Sequence, residues 1–288
     1  YQDNNIEYNL FWDPINKDEI LRDRFIEPPF SVLDTKSWNR QRRKRLWVDK
    51  WIKSEVWRDS KVINMGTTSQ EKNSVEYVSV FDPALCEVLY HRFCPEWWKI
   101  LDPFAWWSVR WIVANYLWYK YTWIDIRSEQ IECNICQGLE ILGDGNMPDR
   151  RIWDSNVVLG NIEGYYDFVF SCPPYASLEK YSDIDWDISN MDYNDFIVSY
   201  REIIRKSCKL LSKWWYACFV VWEVRDSKWN YIWFVPDTIR AFCDCWMSFY
   251  NEAILLNAIA SASMRANWNM KSGKLVKVHQ NILIFKKE

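Results

Sequence analysis

From residue 99 onward the sequence alternates short apolar runs with helix-compatible stretches, and no other feature restricts the fold as much. Runs near 99–102, 121–125, 151–154, 166–171, 216–222, 251–257 and 280–286 read as strands. The stretches 109–118, 128–140, 193–211 and 236–246 read as helices. Connections long enough to hold a helix favour parallel strands, with the crossover helix covering one face of the sheet. The expected fold is α/β: a doubly wound, mostly parallel seven-stranded sheet with helices on both faces and an irregular N-terminal extension. Ligands of such sheets bind beyond the carboxyl ends of the strands, so the residues that end each strand are where chemistry is sought.

The extension covers residues 1–76 and the α/β domain 77–288, with no internal repeat and no linker that cuts the chain further. At 288 residues the chain can bury a substantial core. A net charge of -3 excludes a global basic field, so any nucleic-acid contact must be local. Nine cysteines lack metal-ligand spacing and only two histidines are present, which points to free thiols in a reducing cytoplasm and to no metal. No apolar run reaches the length of a membrane span, and no signal-peptide pattern is present. Phe81-Asp82-Pro83 followed by 84–93 predicts a helix capped by Asp82 with proline at its first position.

Glycine and tryptophan usage is inverted, with 7 glycines and 21 tryptophans. The pairs Trp97-Trp98, Trp106-Trp107 and Trp214-Trp215 fall where turns are expected, and turns call for glycine because only glycine takes positive φ cheaply. One reading is a chain rich in core aromatics. The other is that many of these positions are glycine in the working protein, its source reading as glycine a codon rendered here as tryptophan. Arg40, Arg92 and Arg150 or Arg151 stand where apolar residues suit the pattern, as though a second codon were also misassigned.

Four features fall at successive strand ends. Leu101-Asp102-Pro103-Phe104-Ala105-Trp106-Trp107-Ser108 joins an apolar strand to a helix, the geometry that presents backbone N–H groups to a nucleotide-like ligand. Asp125 ends the next strand, where a carboxylate can accept from both ribose hydroxyls of a nucleoside. Asp154-Ser155 ends a third and can reach an adenine amino group. Tyr166-Asp167-Phe168-Val169-Phe170-Ser171 stops at Cys172-Pro173-Pro174-Tyr175.

In this order the four resemble the S-adenosylmethionine-dependent DNA amino-methyltransferases of bacterial and phage DNA modification, over residues 77–288. Residues 102–108 are similar to the family's cofactor motif Asp-Pro-Phe-Ala-Gly-x-Gly, and Cys172-Pro173-Pro174-Tyr175 to its catalytic Asp/Asn/Ser-Pro-Pro-Tyr/Phe motif. Residues 81–98 resemble its helix over the methionine end of the cofactor. The resemblance implies a Rossmann-like methyltransferase fold and S-adenosylmethionine held by Asp102, Pro103, Phe104, Ala105, Trp106, Trp107, Ser108, Asp125, Asp154 and Ser155. It implies methyl transfer to an exocyclic amine, adenine N6 before cytosine N4, on a base flipped out of double-stranded DNA and stacked on Tyr175.

Two departures matter. Cys172 replaces a good acceptor with a thiol, so either Ser171 or a proline-region carbonyl serves, or the thiolate adds to the ring as in C5-cytosine enzymes. Indoles at 106, 107 and 111 crowd the cofactor turn. DNA contact is assigned to Arg42, Arg43, Lys44 and Arg45 in the basic stretch 37–53, and to Arg265, Lys271 and Lys274 in the loop 261–279. Both stretches also fit a solvated surface. The alternatives are an RNA or small-molecule methyltransferase, and a binding module whose pocket is filled by Trp106 and Trp107.

Overall fold

The structure is a computed structural model that describes residues 30–50, 81–94, 98–143, 147–175, 182, 184–257, 266 and 269–288. Most of the 1–76 extension, Trp97, Arg265 and much of the loops 176–192 and 261–279 therefore lie outside the described residues. In chain order the elements begin with β1 (Val32–Asp34), α1 (Trp38–Asp49), α2 (Pro83–Phe93) and β2 (Lys99–Asp102). They continue with α3 (Val109–Tyr116), β3 (Lys120–Asp125), α4 (Ser128–Leu142), β4 (Asp149–Ile152), α5 (Ser155–Asn161) and β5 (Tyr166–Ser171). The last are α6 (Tyr193–Leu210), β6 (Leu211–Val221), α7 (Phe234–Cys243), β7 (Met247–Leu256) and β8 (His279–Lys287).

These strands form one sheet in the order β1-β7-β8-β6-β5-β2-β3-β4, parallel except for β8, which runs antiparallel to β6 and β7. The doubly wound, mostly parallel α/β reading holds, with eight strands rather than seven. The added strand is β1, which pairs with β7 through Val32 opposite Ile254. Three residues with only Leu33 buried carry too little period-2 signal to be read in advance. The part of the extension that is described is thus not irregular. Its strand joins the sheet, and α1 packs on α2.

Alternation along the strands sorts side chains to the two faces. Ile100, Tyr121, Trp123, Phe168 and Phe170 face one core with α2 and α3. Leu101, Ile124, Val169 and Phe219 face the other, with Phe196 and Tyr200 of α6 and Phe234 and Phe242 of α7. Asp82 caps α2 by accepting from the Ala84 N–H at 3.1 Å, with Pro83 at the first position as expected. Asp192 caps α6 by accepting from Asn194 and Asp195.

The buried arginine of α1 is not misplaced. Arg40, 1% exposed, pairs with Asp82 at 3.4 Å, and Arg151 pairs with Asp149 at 3.1 Å on the surface. A codon misassigned to arginine is therefore not needed at either position. Arg43 and the Trp47 indole N–H both donate to Glu87, which is fully buried on α2. Glu87→Leu should expose the cost of this arrangement: two donors lose their acceptor, so we expect about 3–5 kcal/mol of destabilisation in urea titrations.

Candidate functional site

The chain leaves β2 toward β3 and β4, then returns to β5 on the other side of β2. Doubly wound sheets take ligands beyond the strand ends at such a switch point. The turn after Asp102, Asp125, Asp154-Ser155 and the Cys172–Tyr175 segment all end strands at this pole.

Asp102 is a structural hub. Its Oδ1 accepts from the Phe104 N–H (3.2 Å) and the Ser171 hydroxyl (2.5 Å), and its Oδ2 from Arg110 Nε (2.7 Å) and the Tyr121 hydroxyl (2.8 Å). Arg110 also donates to the carbonyls of Phe104 and Ala105 at 2.7 and 2.8 Å, which grips the turn from behind. Asp102 and Ser171 are 1% and 0% exposed, so neither offers an open oxygen to a ligand. The Ser171 hydroxyl is committed to Asp102. Arg110 and Tyr121 were not anticipated; a basic residue on the apolar face of Val109–Tyr116 was the available signal.

Asp125 ties the turn to the second strand. Its two oxygens accept from the Trp106 and Arg127 backbone N–H groups, each at 2.8 Å. Burial pushes its carboxyl up to about 6, against the opposing pull of the Arg127 and Trp106 N–H groups. The Trp106 carbonyl accepts from Asn134 of α4 (2.9 Å), which in turn accepts from Gln130 (3.1 Å). Ser108 donates to Gln137. Trp106 adopts φ +42°, its ring 5.6 Å from that of Trp107 and beneath the Arg127 guanidinium.

Ser155 donates to the Pro103 carbonyl at 2.6 Å, which fastens the third strand end to the same turn. Asp154 accepts from the Asn156 N–H at 2.8 Å and so caps α5, a seven-residue helix that periodicity alone does not reveal. Beyond β5, Cys172 Sγ lies 3.2 Å from the Tyr175 hydroxyl, which accepts from Gln280 of β8 at 3.0 Å. Pro173 is buried and Pro174 half-buried. The Tyr175 ring packs edge-on against Phe234 and is 9% exposed. Gln280 gave no sequence signal. Beside it, Lys277 donates to Asn281 (3.2 Å), which donates to Glu252 (2.8 Å).

The basic residues divide. Arg42, Arg45 and Lys271 are exposed, and Lys44 is half-buried. Arg43 is committed to Glu87, and Lys274 sits 3.3 Å above the Trp229 ring. A cavity of about 690 Å³ opens at the opposite, amino pole of β2–β5, beside Lys99, Lys120 and Tyr166; Tyr121, which donates to Asp102, also lines it. No described helix is long and apolar enough to cross a membrane.

No family model and no curated protein matches the chain. Among solved structures it is similar to TrmN from Thermus thermophilus, with a TM-score of 0.47 and 12% identity over 72% of this chain and 49% of that one. It thus spans about half of the TrmN chain. It is also similar to an S-adenosylmethionine-dependent methyltransferase from Methanosarcina mazei (TM-score 0.46, 13% identity, 69% of this chain and 96% of that one). A third is the magnesium protoporphyrin IX methyltransferase of Synechocystis, with a TM-score of 0.43 and 12% identity over 74% of this chain and 87% of that one.

Proposed function

We propose that this chain is an S-adenosylmethionine-dependent methyltransferase that modifies an exocyclic base amine in double-stranded DNA, adenine N6 before cytosine N4. The observation that carries the reading is the bond from the residue 106 N–H to Asp125. It joins the Asp102–Ser108 turn and the acid that ends β3 into one unit, beside the strand that ends in Cys172-Pro173-Pro174-Tyr175.

The residues present fit the cofactor through their backbone and carboxylates. Each carboxylate oxygen has two lone pairs, so Asp125 can hold its backbone donors and still accept from ribose hydroxyls. Ser155 and Asp154 would border the adenine, and the 103–108 turn would border the methionine end. The half-buried indoles of Trp106 and Trp107 are the part that does not fit. When bound, the cofactor supplies an electrophilic methyl group on a sulfonium.

The chain's own task is to make a base amine nucleophilic, since its lone pair is delocalised into the ring. With Ser171 committed to Asp102 and Cys172 a weak acceptor, the backbone carbonyls around Pro173 are the groups that would take the amine protons' hydrogen bonds. Tyr175 would stack on the flipped base once its contacts with Cys172 and Gln280 open. Stacking of this kind is worth about 1–3 kcal/mol per base. Tyr175→Ala should therefore weaken DNA binding by roughly 10- to 100-fold, while Tyr175→Phe keeps most of it.

Asp125 gives the direct test. Its carboxyl is raised to about 6, so in the free protein its contribution to stability is full below the ordinary carboxyl value and is lost as pH rises through about 6. Ribose hydroxyls need the ionised form, so cofactor affinity should move the other way and fall as pH drops through about 6. Calorimetric titration of S-adenosylmethionine into a chain with glycine at 106 and 107 should show this dependence, and Asp125→Asn should remove it. Affinity that is flat across this range would show that Asp125 does not hold the ribose.

A further inference from the structure

Among the described residues, six without a glycine's freedom adopt positive φ: Trp106, Trp118, Trp214, Trp229, Trp233 and Trp246. All six are tryptophan. The other positive-φ positions are Gly143, Gly164 and Gly273. Asn and Asp, the side chains that enter this region most readily, do not appear in it. A bulky aromatic is among the least suited residues for it.

Three of the six complete motifs whose chemistry specifies glycine. After α3, the Tyr119 N–H donates to the Ala114 carbonyl and the Trp118 N–H to the Asn115 carbonyl, the paired bonds that end a helix with a left-handed residue between them. Gly143, at the end of α4, also takes positive φ, and there the residue is glycine. In the hairpin 226–230, the Trp229 N–H donates to the Asp226 carbonyl and the Asp226 N–H to the Asn230 carbonyl. This is a three-residue loop that closes on a left-handed residue. Trp106 is the third, in the turn beside Asp125.

Packing does not repay these conformations. Trp118, Trp214, Trp229, Trp233 and Trp246 are 58–90% exposed. Trp111 and Trp123 are buried beside each other with indole N–H groups that lack an acceptor. The ring centroids of Trp98 and Trp215 lie 3.8 Å apart, closer than aromatic pairs ordinarily approach. Trp47 differs on every count: it is 1% exposed, lies within a helix, and its N–H donates to Glu87.

We propose that positions 106, 118, 214, 229, 233 and 246 are glycine in the polypeptide that the encoding organism makes, and that Trp47 is tryptophan. Its translation machinery would read as glycine a codon that ordinary decoding renders as tryptophan, while true tryptophan codons persist elsewhere. This goes beyond the methyltransferase reading and does not depend on it.

Peptide mass spectrometry of the protein from its own cells should give glycine masses at the six positions and tryptophan at 47. Tryptophan masses at the six would overturn the proposal. A second measurement needs no native source. The full chain made in an ordinary host should gain on the order of 10 °C in melting temperature when all six become glycine, whereas Trp47→Gly should lower it. A six-glycine chain that melts no higher than the parent would overturn the proposal on physical grounds. Neither readout uses the cofactor, so failure of the methyltransferase reading would leave both intact.

Discussion

Replacing Asp102 by alanine should leave a chain that barely folds at 37 °C. Arg110 is 3% exposed and would lose its only carboxylate among the described residues, while the Tyr121 and Ser171 hydroxyls would lose the oxygen they donate to. Removing one partner of a buried ion pair costs about 3–5 kcal/mol, and each orphaned hydroxyl adds about 1–3 kcal/mol. Total stability for a domain is about 5–15 kcal/mol, so the loss approaches all of it. Urea unfolding should show a midpoint far below that of the parent at an unchanged slope. The double variant Asp102→Leu with Arg110→Met, which removes both charges, should recover a large part of the loss. A single variant as stable as the parent would mean that the hub around Asp102 is not what holds the turn.

Glycine at 106 and 107 should strengthen the binding of S-adenosylmethionine, which the two indoles oppose. Two terms act together. The strain of an indole-bearing residue at φ +42° is relieved, which is worth about 1–2 kcal/mol. The two half-buried rings also no longer stand on the turn where backbone must meet ligand. Together these should raise affinity by at least about 100-fold in calorimetric titration. Trp106→Gly alone should give the larger share, because residue 106 carries both the positive φ and the N–H held by Asp125. If the double variant binds no better than the parent, the turn is not a cofactor turn.

The sheet was legible because its inner strands are continuous apolar runs between helical stretches. Tyr166–Ser171 has the bounds its sequence predicts, and Lys99–Asp102 ends on the expected aspartate. What stayed hidden lacked a periodic signal. β1 is three residues long with one buried, and β4 is exposed along its length, so its start at Asp149 preceded the expected 151. Site residues followed the same division. Asp125 was legible because an acid closes an apolar strand. Arg110, Tyr121 and Gln280 were not, because their partners are 8, 19 and 105 residues away and only the fold brings them together. Of the tryptophan pairs only Trp106-Trp107 is seen in a turn: Trp214-Trp215 lies inside β6, which starts at Leu211 rather than near 216, and Trp97 lies outside the described residues. Trp118, Trp229, Trp233 and Trp246 stand alone and needed backbone dihedrals to be recognised.

DNA amine methylation is tested most directly by nucleoside analysis of duplex DNA after incubation with methyl-labelled S-adenosylmethionine and the chain carrying glycine at 106 and 107. Label should appear on the exocyclic amine of adenine, be lost in Asp125→Ala and be strongly reduced in Tyr175→Ala. Label that appears in RNA but not in duplex DNA, or label at cytosine C5, would contradict this.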